Sequence, residues 1–243
     1  MGSAQGCREQ STVAGASANQ GAPREQPRLH SKRLAELPSR LSGRITVVER
    51  GRERRLIAHG EVQSVYFPDG DWTPALSEYW GRAIIPARAL PPGARALVVG
   101  LGGGTQIHLL RRETPVGPIT VVERDPVVIQ IAHEWFGLGQ VGQVEIMEAD
   151  VEDAIARLTL ERRSFEFVTE DISYASDPAE AVHRARQLAR RLAPRGLLVL
   201  NQHHRAQAQQ VAESISDLLP QIRLERVRRG VENVLIFASP ASA

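Results

Sequence analysis

A glycine-rich turn between a short apolar strand and a helical pattern constrains this chain more than any other segment. Ala96–Val99 has the length and β-branched content of a buried strand. It leads directly into Gly100, Gly102, Gly103 and Gly104, after which a helical pattern begins. Strand, glycine turn and helix bring backbone N–H groups and a helix N-terminus against a nucleotide or nucleoside. Glycine is required there because a Cβ would block both the tight turn and the close approach.

The composition excludes several classes of protein. No apolar run reaches the length of a membrane span, and residues 1–6 lack the apolar region of a signal peptide. Cys7 is the single cysteine, which excludes an internal disulfide and a cysteine metal cluster. The first 40 residues carry six basic and three acidic side chains, so the net charge of +2 leaves about −1 for the rest. We therefore expect a cytoplasmic protein with no nucleic-acid or membrane partner.

The sequence divides into three predicted regions. Residues 1–40 are rich in Ser, Ala, Gln, Gly, Pro and Arg without apolar periodicity, which predicts a disordered tail. Residues 41–72 hold three strand-like stretches separated by short turns, which predicts a small antiparallel β-meander. Residues 73–243 begin with a helix that opens at Pro74 and ends before Pro91, and then continue as alternating strands and helices.

This alternation predicts an α/β domain built on a doubly wound, mostly parallel, seven-stranded sheet. Five strand–helix units end in two strands that are separated by a turn of only a few residues around Arg228. Because so short a connection allows only an antiparallel hairpin, the sheet is predicted to close differently from an ordinary dinucleotide-binding domain.

Acidic residues end two successive strands of this predicted sheet. Glu123 suits the ribose hydroxyls of either NAD or an S-adenosyl nucleoside, and Asp150 suits an adenine amino group better than a nicotinamide. Two structural alternatives stay open: Glu123 as a helix N-terminal charge ahead of Pro126, and Asp150 as the cap of the helix from Val151. The dinucleotide fingerprint has a small residue, glycine by preference, where this turn has Thr105.

These motifs resemble a known family. The turn from Gly100 to Gly104, Glu123 followed by Arg-Asp-Pro, and Asp150 together resemble the class I S-adenosylmethionine-dependent methyltransferase fold. The stretches 45–49, 55–56 and 59–64 ahead of the turn look like the N-terminal β-domain of spermidine synthases, the polyamine aminopropyltransferases. The resemblance covers the chain from about residue 44 to residue 237.

The resemblance implies roles for particular residues. Gln63 and the four glycines of the turn would hold the amino-acid or aminopropyl end of the ligand, Glu123 the ribose and Asp150 the adenine edge. Asp171 matches the first Asp of the family's Asp-Ser-Ser-Asp-Pro loop, where an Asp accepts a proton from the attacking amine. The implied co-substrate is S-adenosylmethionine or its decarboxylated form, without a metal. The implied partner is a small-molecule amine or methyl acceptor, and a homodimer through the β-meander is left open.

The chain also departs from the spermidine synthase pattern. Tyr174 stands where the second Asp of the loop belongs, with Asp177 as a shifted candidate. Gly103 replaces an Asp that would repel the carboxylate of ordinary S-adenosylmethionine, and residues 77–80 replace the family's Tyr-His/Gln-Glu motif. The first hypothesis is an aminopropyl-type transferase in polyamine biosynthesis, with Asp171 as base. A methyltransferase and a catalytically degenerate nucleoside-binding module are the alternatives.

Other candidate residues carry weaker signals. His203 and His204 do not have the spacing of metal ligands, and no acid or cysteine cluster joins them, so no metal site is predicted. Asn201 follows the fifth strand, at the edge where such sheets bind ligands. Trp72, Tyr79, Trp80 and Trp135 are more typical of a core than of a substrate cavity.

Overall fold

A four-stranded antiparallel sheet forms the N-terminal part of the protein. The computed structural model describes Met1 and residues 31–172, 177–229 and 231–241. Its strands lie side by side in chain order: β1 (Ser31–Ser39), β2 (Gly43–Arg50), β3 (Glu53–Ala58) and β4 (Glu61–Tyr66). The strands β2, β3 and β4 confirm the predicted β-meander.

The strand β1 corrects the prediction of disorder for residues 1–40. Ser31–Ser39 pairs antiparallel with β2 over its whole length, so the prediction is wrong for these nine residues. Leu34, Ala35 and Leu37 pack against the core. Charged residues precede them and Glu36 interrupts them, so the segment lacks the apolar pattern that predicts a strand from sequence. Residues 2–30 of the predicted tail lie outside the described residues. The division into domains at residues 40 and 72 stays a prediction.

The segment that joins the two sheets is not one helix, as predicted, but three short ones. They are α1 (Thr73–Leu76), α2 (Tyr79–Ile84) and a 3-10 helix at Ile85–Ala89. The chain leaves helical geometry at Glu78, whose backbone is extended at ψ 174°. The break brings α2 against α1 so closely that a Cβ on Gly81 would lie 2.4 Å from the Leu76 backbone.

Seven strands and the helices between them form the rest of the molecule. In chain order these elements are β5 (Ala96–Val99), α3 (Thr105–Glu113), β6 (Ile119–Glu123), α4 (Pro126–Trp135), β7 (Val144–Glu148), α5 (Val151–Leu160), β8 (Phe165–Glu170), α6 (Pro178–Ala189), β9 (Leu192–Gln202), α7 (Arg205–Ile215), β10 (Gln221–Arg229) and β11 (Val231–Ser239). None of the helices in the described part of the chain is long and apolar enough to cross a membrane.

The sheet order is β10-β11-β9-β8-β5-β6-β7. The strands β5 to β9 pair in parallel, whereas β11 runs antiparallel to both β9 and β10. The predicted seven-stranded, mostly parallel sheet with a closing hairpin is therefore confirmed. The strand order reverses beside β5, which has β6 on one side and β8 on the other, and such switch points open a crevice at the carboxyl ends of the strands.

Apolar side chains alternate between the two faces of this sheet. In β5, Ala96 and Val98 join the core beneath α3, α4 and the antiparallel sheet, while Leu97 and Val99 join the core beneath α5, α6 and α7. Each face thus carries one hydrophobic layer. Trp72 belongs to the first layer, as expected, and His108 stacks on its ring at 4.8 Å.

Candidate functional site

Two cavities meet at the carboxyl end of β5, where the strand order reverses. The larger cavity has a volume of about 390 Å³ and the smaller one about 250 Å³, and Gly100 lines both. The larger cavity lies between β4, the start of α2, the glycine turn and the ends of β8 and β9. The smaller cavity lies between the ends of β5, β6 and β7 and the helices α5 and α6.

Two glycines of the turn are required by both conformation and space. Gly100 has φ +94° and Gly102 has φ +50°, a region that side-chain-bearing residues rarely adopt. A Cβ on Gly100 would lie 2.6 Å from Ile172 Cγ2, and one on Gly102 would lie 2.5 Å from Ser64 Oγ. The backbone of the turn can therefore form the wall of both cavities.

The other two glycines, Gly103 and Gly104, are not among the described residues that line the two cavities. Gly103 has no left-handed φ, but a Cβ there would lie 2.5 Å from Cδ1 of the buried Phe136 ring. Gly104 has φ +89° and is the N-cap residue of α3. The predicted cofactor-binding set is thus split, with Gly100 and Gly102 at the surface of the cavities and Gly103 and Gly104 supporting them.

A β-bulge directs Gln63 towards the larger cavity. Leu56 pairs with Ser64 and Ile57 pairs with Val62, so Gln63 is the extra residue in β4. Bulges re-aim side chains and often lie beside active sites. Gln63 lines the larger cavity together with the glycine turn and Asp171, as the family resemblance implies.

Hydrogen bonds from β4 hold the glycine turn in place. The backbone N–H of Gly103 donates to Ser64 Oγ at 2.7 Å. The hydroxyl of Thr105 donates to the Val65 carbonyl at 2.8 Å and accepts from the Val65 N–H at 2.9 Å. Because Thr105 supplies this contact, the residue that departs from the dinucleotide fingerprint connects the turn to the antiparallel sheet.

The N-terminus of α3 faces the larger cavity. No side chain caps this end of the nine-residue helix, and Thr105 and Gln106 of its first turn line the cavity. The first N–H groups of an α-helix have no partner within the helix and carry a partial positive charge. This end of the cavity therefore favours an anionic group such as a carboxylate.

Glu123 lies at the end of β6 and lines the smaller cavity. Its Oε1 accepts from the Asp125 N–H at 2.9 Å, and its Oε2 accepts from the Leu101 N–H at 3.1 Å. Since an ionised carboxylate has about four acceptor positions, two stay available for hydroxyl groups. Burial raises the pKa of the Glu123 carboxyl, although the backbone donors favour its charged form.

Asp150 also lines the smaller cavity, but its surroundings differ. Its side chain is 60% exposed and lies 3.5 Å from the Arg124 guanidinium. It occupies the N-cap position of α5 without making a capping hydrogen bond. An exposed ion pair contributes little to stability. The structure therefore leaves the Asp150 carboxylate accessible from the cavity.

Asp171 sits at the inner end of the larger cavity, held by three side chains. Its Oδ2 accepts from the Tyr79 hydroxyl at 3.0 Å and from Gln106 Nε2 at 3.1 Å, and its Oδ1 accepts from Asn201 Nδ2 at 2.8 Å. Thr169 fixes the Gln106 amide by donating to Oε1 at 3.1 Å. Burial raises the pKa of the Asp171 carboxyl against the effect of these donors.

Sequence analysis missed Tyr79 and Gln106 as site residues. The sequence predicts Tyr79 as a core residue, yet Tyr79 lines the larger cavity and its hydroxyl donates to Asp171. Gln106 is buried in the first turn of α3, and a polar residue at an apolar helical position is the signal that could have identified it. Asn201, which was expected at the crevice, is buried and contacts both Asp171 and Asn233.

The structure describes only one of the two residues compared with the second Asp of the family's loop. Tyr174 lies outside the described residues. Asp177, the shifted candidate for the second catalytic Asp, is the N-cap of α6, where its carboxylate accepts from the Ala179 N–H at 2.7 Å. It is not among the described residues that line the cavities, so this candidate is replaced by a structural role.

Charge in the larger cavity is one-sided. Its described lining includes the carboxylates of Glu61, Glu78 and Asp171, together with His203, and no Lys or Arg. Carboxylates that converge on one cavity attract cations. Over the part of the chain that is described, no group of three or more His, Cys, Asp or Glu has the arrangement of a metal site.

Comparisons with known proteins show similarity to two kinds of transferase, methyltransferases and polyamine aminopropyltransferases. No family model matches the chain. The eEF1A lysine and N-terminal methyltransferase of Danio rerio is 29% identical over 152 residues, 58% of this chain. The chain matches only 22% of the length of that relative. The polyamine aminopropyltransferase of Vibrio vulnificus is 32% identical over 81 residues, 33% of this chain and 27% of its own.

Solved structures show the same two likenesses. Human methyltransferase-like protein 13 in complex with SAH aligns with a TM-score of 0.55 at 26% identity, over 66% of this chain and 79% of that chain. Spermidine synthase in complex with the transition state analogue AdoDATO aligns with a TM-score of 0.66 at 15% identity, over 85% and 72%. The strand order and these likenesses together show that the chain has a class I S-adenosylmethionine-dependent methyltransferase-like fold.

Proposed function

We propose that this protein transfers a methyl group from S-adenosylmethionine to an amine. One observation carries the choice of donor: the N-terminus of α3, which no side chain caps, faces the larger cavity. S-adenosylmethionine keeps its carboxylate, which a helix N-terminus attracts. The first hypothesis from the sequence, an aminopropyl transferase, becomes the second candidate.

The residues present fit an S-adenosyl nucleoside. Gly100 lines both cavities, so a ligand that lies along its backbone can extend from one to the other. Its missing Cβ lets Ile172 and Asp171 pack directly against the turn. In this arrangement the smaller cavity takes the adenosine, with Glu123 accepting hydrogen bonds from ribose hydroxyls and Asp150 near the adenine edge. The amino-acid end then lies in the larger cavity, between Gln63 and the N-terminus of α3.

The bound nucleoside supplies a methyl carbon on a positively charged sulfur. The amine nitrogen forms its bond to this carbon while the carbon–sulfur bond breaks and leaves its electron pair on sulfur. Asp171 accepts the proton that the nitrogen loses, for which Oδ1 has one acceptor position beyond the Asn201 bond. Tyr79 and Gln106 hold the carboxylate in position, and its pKa, raised by burial, makes it a better base.

The acceptor class follows from the charge of the larger cavity. Glu61 and Glu78 line it in addition to Asp171, and the described lining includes no Lys or Arg. Such a cavity concentrates ammonium groups, which Asp171 can deprotonate for attack. The relatives that match the longest segment of this chain are named as methyltransferases of lysine and of N-termini, which supports an amine as acceptor.

Aminopropyl transfer from decarboxylated S-adenosylmethionine is the second candidate function. It is favoured by the same three carboxylates, which also suit a diamine, and by the β4 bulge that directs Gln63 into the cavity. It is disfavoured because the spermidine synthase turn has an Asp where this chain has Gly103. The ring of Phe136 fills the space that such a side chain would need.

Turnover with each donor separates the two candidates. The protein is incubated with methyl-labelled S-adenosylmethionine or with the decarboxylated nucleoside, and with diamines or lysine-containing peptides. We expect labelled methyl groups to appear on amines, with S-adenosylhomocysteine as the second product. Release of 5′-methylthioadenosine from the decarboxylated donor alone would establish the second candidate instead. Absence of turnover with both donors, while S-adenosylhomocysteine binds, would leave only the nucleoside-binding module.

A further inference from the structure

Asp125 forms an unusual connection between the antiparallel sheet and the nucleoside site. Its side chain is 2% exposed, and its Oδ2 accepts from the hydroxyls of Ser39 at 2.5 Å and Ser42 at 2.6 Å. Its Oδ1 caps α4 by accepting from the Val127 N–H at 2.9 Å. Burial opposes ionisation of Asp125, but these donors outweigh it and lower the pKa of its carboxyl.

Ser39 ends β1 and Ser42 lies in the turn that leads to β2, and two hydrogen bonds of this turn converge on the Ser39 hydroxyl. The N–H groups of Leu41 and Ser42 both donate to Ser39 Oγ at 3.0 Å. A serine hydroxyl donates one hydrogen and accepts at two positions, so Ser39 uses its full capacity in this turn. The hairpin therefore fixes the Ser39 hydroxyl directly, and it fixes Ser42 through the hydrogen bond of its backbone N–H.

The main chain of the same Asp125 continues the connection. Its N–H donates to Glu123 Oε1, while Leu101 of the glycine turn holds Glu123 Oε2. A chain of hydrogen bonds thus runs from the hairpin through Asp125 to the acid that faces the smaller cavity. If the Asp125 backbone moves, Glu123 loses one of the two donors that fix its orientation.

We infer that Ser39 and Ser42 are positioning residues for the nucleoside: through Asp125 they hold Glu123 in the orientation that accepts from ribose hydroxyls. This inference rests on the proposed function of the smaller cavity. It gives the β1–β2 hairpin a part in nucleoside recognition, in addition to its packing role. No residue of the β1–β2 hairpin is among the described residues that line the two cavities, so we expect its effect to pass through Glu123 and to depend on the ribose hydroxyls.

Calorimetry with two ligands tests this dependence. Dissociation constants are measured for S-adenosylhomocysteine and for its 2′-deoxyadenosyl analogue, on the wild type, on the double variant Ser39→Ala/Ser42→Ala and on Ser31→Ala as control. Ser31 lies at the exposed start of β1. We expect the double variant to bind S-adenosylhomocysteine about 10-fold more weakly and the deoxy analogue with little change. The control should match the wild type for both ligands.

Three results would overturn the inference, and they differ from one another. Equal weakening for both ligands would mean that the serines act on general stability and not through the ribose. Unchanged affinity in the double variant, with normal binding by the wild type, would refute the connection and leave the proposed function intact. Failure of the wild type to bind either ligand would refute the proposed function itself. If the double variant does not fold, Ser42→Ala alone gives the same comparison, with an expected loss of about threefold.

Discussion

Replacing Asp171 with asparagine is expected to reduce methyl transfer about 100- to 10,000-fold, the usual contribution of a general base. The amide cannot accept a proton near neutral pH, although it is nearly isosteric with the carboxyl group. The Asp171→Asn variant should still bind S-adenosylhomocysteine, because Glu123 and the glycine turn are unchanged. Steady-state turnover and calorimetric binding, measured on the same preparation, separate the two effects.

The stability of this variant provides an internal control. Burial raises the pKa of the Asp171 carboxyl, so the folded state holds this proton more tightly than the unfolded state. The ionised carboxylate therefore opposes folding at neutral pH, and this opposition fades as the pH falls through the raised pKa. Asp171→Asn removes this charge but turns an NH2 group towards a donor, either Asn201 or the pair Tyr79 and Gln106. Because the two effects oppose each other, the variant should melt close to the temperature of the wild type. Exposed Asp153 on α5 gives a matched substitution, Asp153→Asn, that should retain full turnover.

An unfolded Asp171→Asn variant would leave the chemical role of this residue open to doubt, so the melting temperature is measured first. Full turnover by a folded variant would contradict the assignment of Asp171 as the base. Loss of turnover with an equal loss of nucleoside binding would assign the residue to ligand binding instead.

Replacing Gly103 with alanine is expected to destabilise the protein by about 1–3 kcal/mol, the range for overpacking a filled core. The new Cβ would lie 2.5 Å from Phe136 Cδ1 and 2.8 Å from Cε1, and this ring is completely buried. The Phe136 ring also packs against Tyr66, and the Phe136 carbonyl is hydrogen-bonded to His108. Urea unfolding measures the free energy, and calorimetry with S-adenosylhomocysteine reports the distortion of the turn.

Gly142→Ala is the matched control for this substitution. Gly142 also lacks a left-handed φ, but a Cβ there meets nothing within 4 Å. Both variants add one methyl group without backbone strain, so the difference between them isolates the contact with Phe136. The double variant Gly103→Ala/Phe136→Leu should recover part of the loss at the turn. Equal stability of Gly103→Ala and Gly142→Ala would refute the proposed steric block.

The sequence allowed prediction of the seven-stranded sheet because its strands carry strong local signals. The apolar runs at Ala96–Val99 and Ile119–Glu123 are buried on both faces, and each is followed by a helix with one apolar stripe. The short turn before β11 could belong only to a hairpin. The strand β1 was missed because its few apolar residues are preceded by charged ones, interrupted by Glu36 and only partly buried.

The site could be predicted only in part. Acids at strand ends are visible in the sequence, since parallel strands bring their carboxyl ends to one edge, and this pattern predicts Glu123 and Asp150 as site residues. The prediction for Asp171 comes from the family resemblance. Tyr79 and Gln106 come from elements whose orientation depends on tertiary packing, so no local pattern relates them to Asp171. The same limit applies to contacts such as the one between Gly103 and Phe136, which are distant in sequence.

The central claim is that the two cavities on either side of Gly100 form one site for an S-adenosyl nucleoside. Isothermal titration of the full chain with S-adenosylhomocysteine, and separately with NAD, tests it most directly. We predict one S-adenosylhomocysteine site per chain, with an affinity at least about tenfold higher than that for NAD, since Thr105 and the acids at two strand ends favour a nucleoside over a pyrophosphate. Tight binding of NAD without measurable binding of S-adenosylhomocysteine would contradict the account.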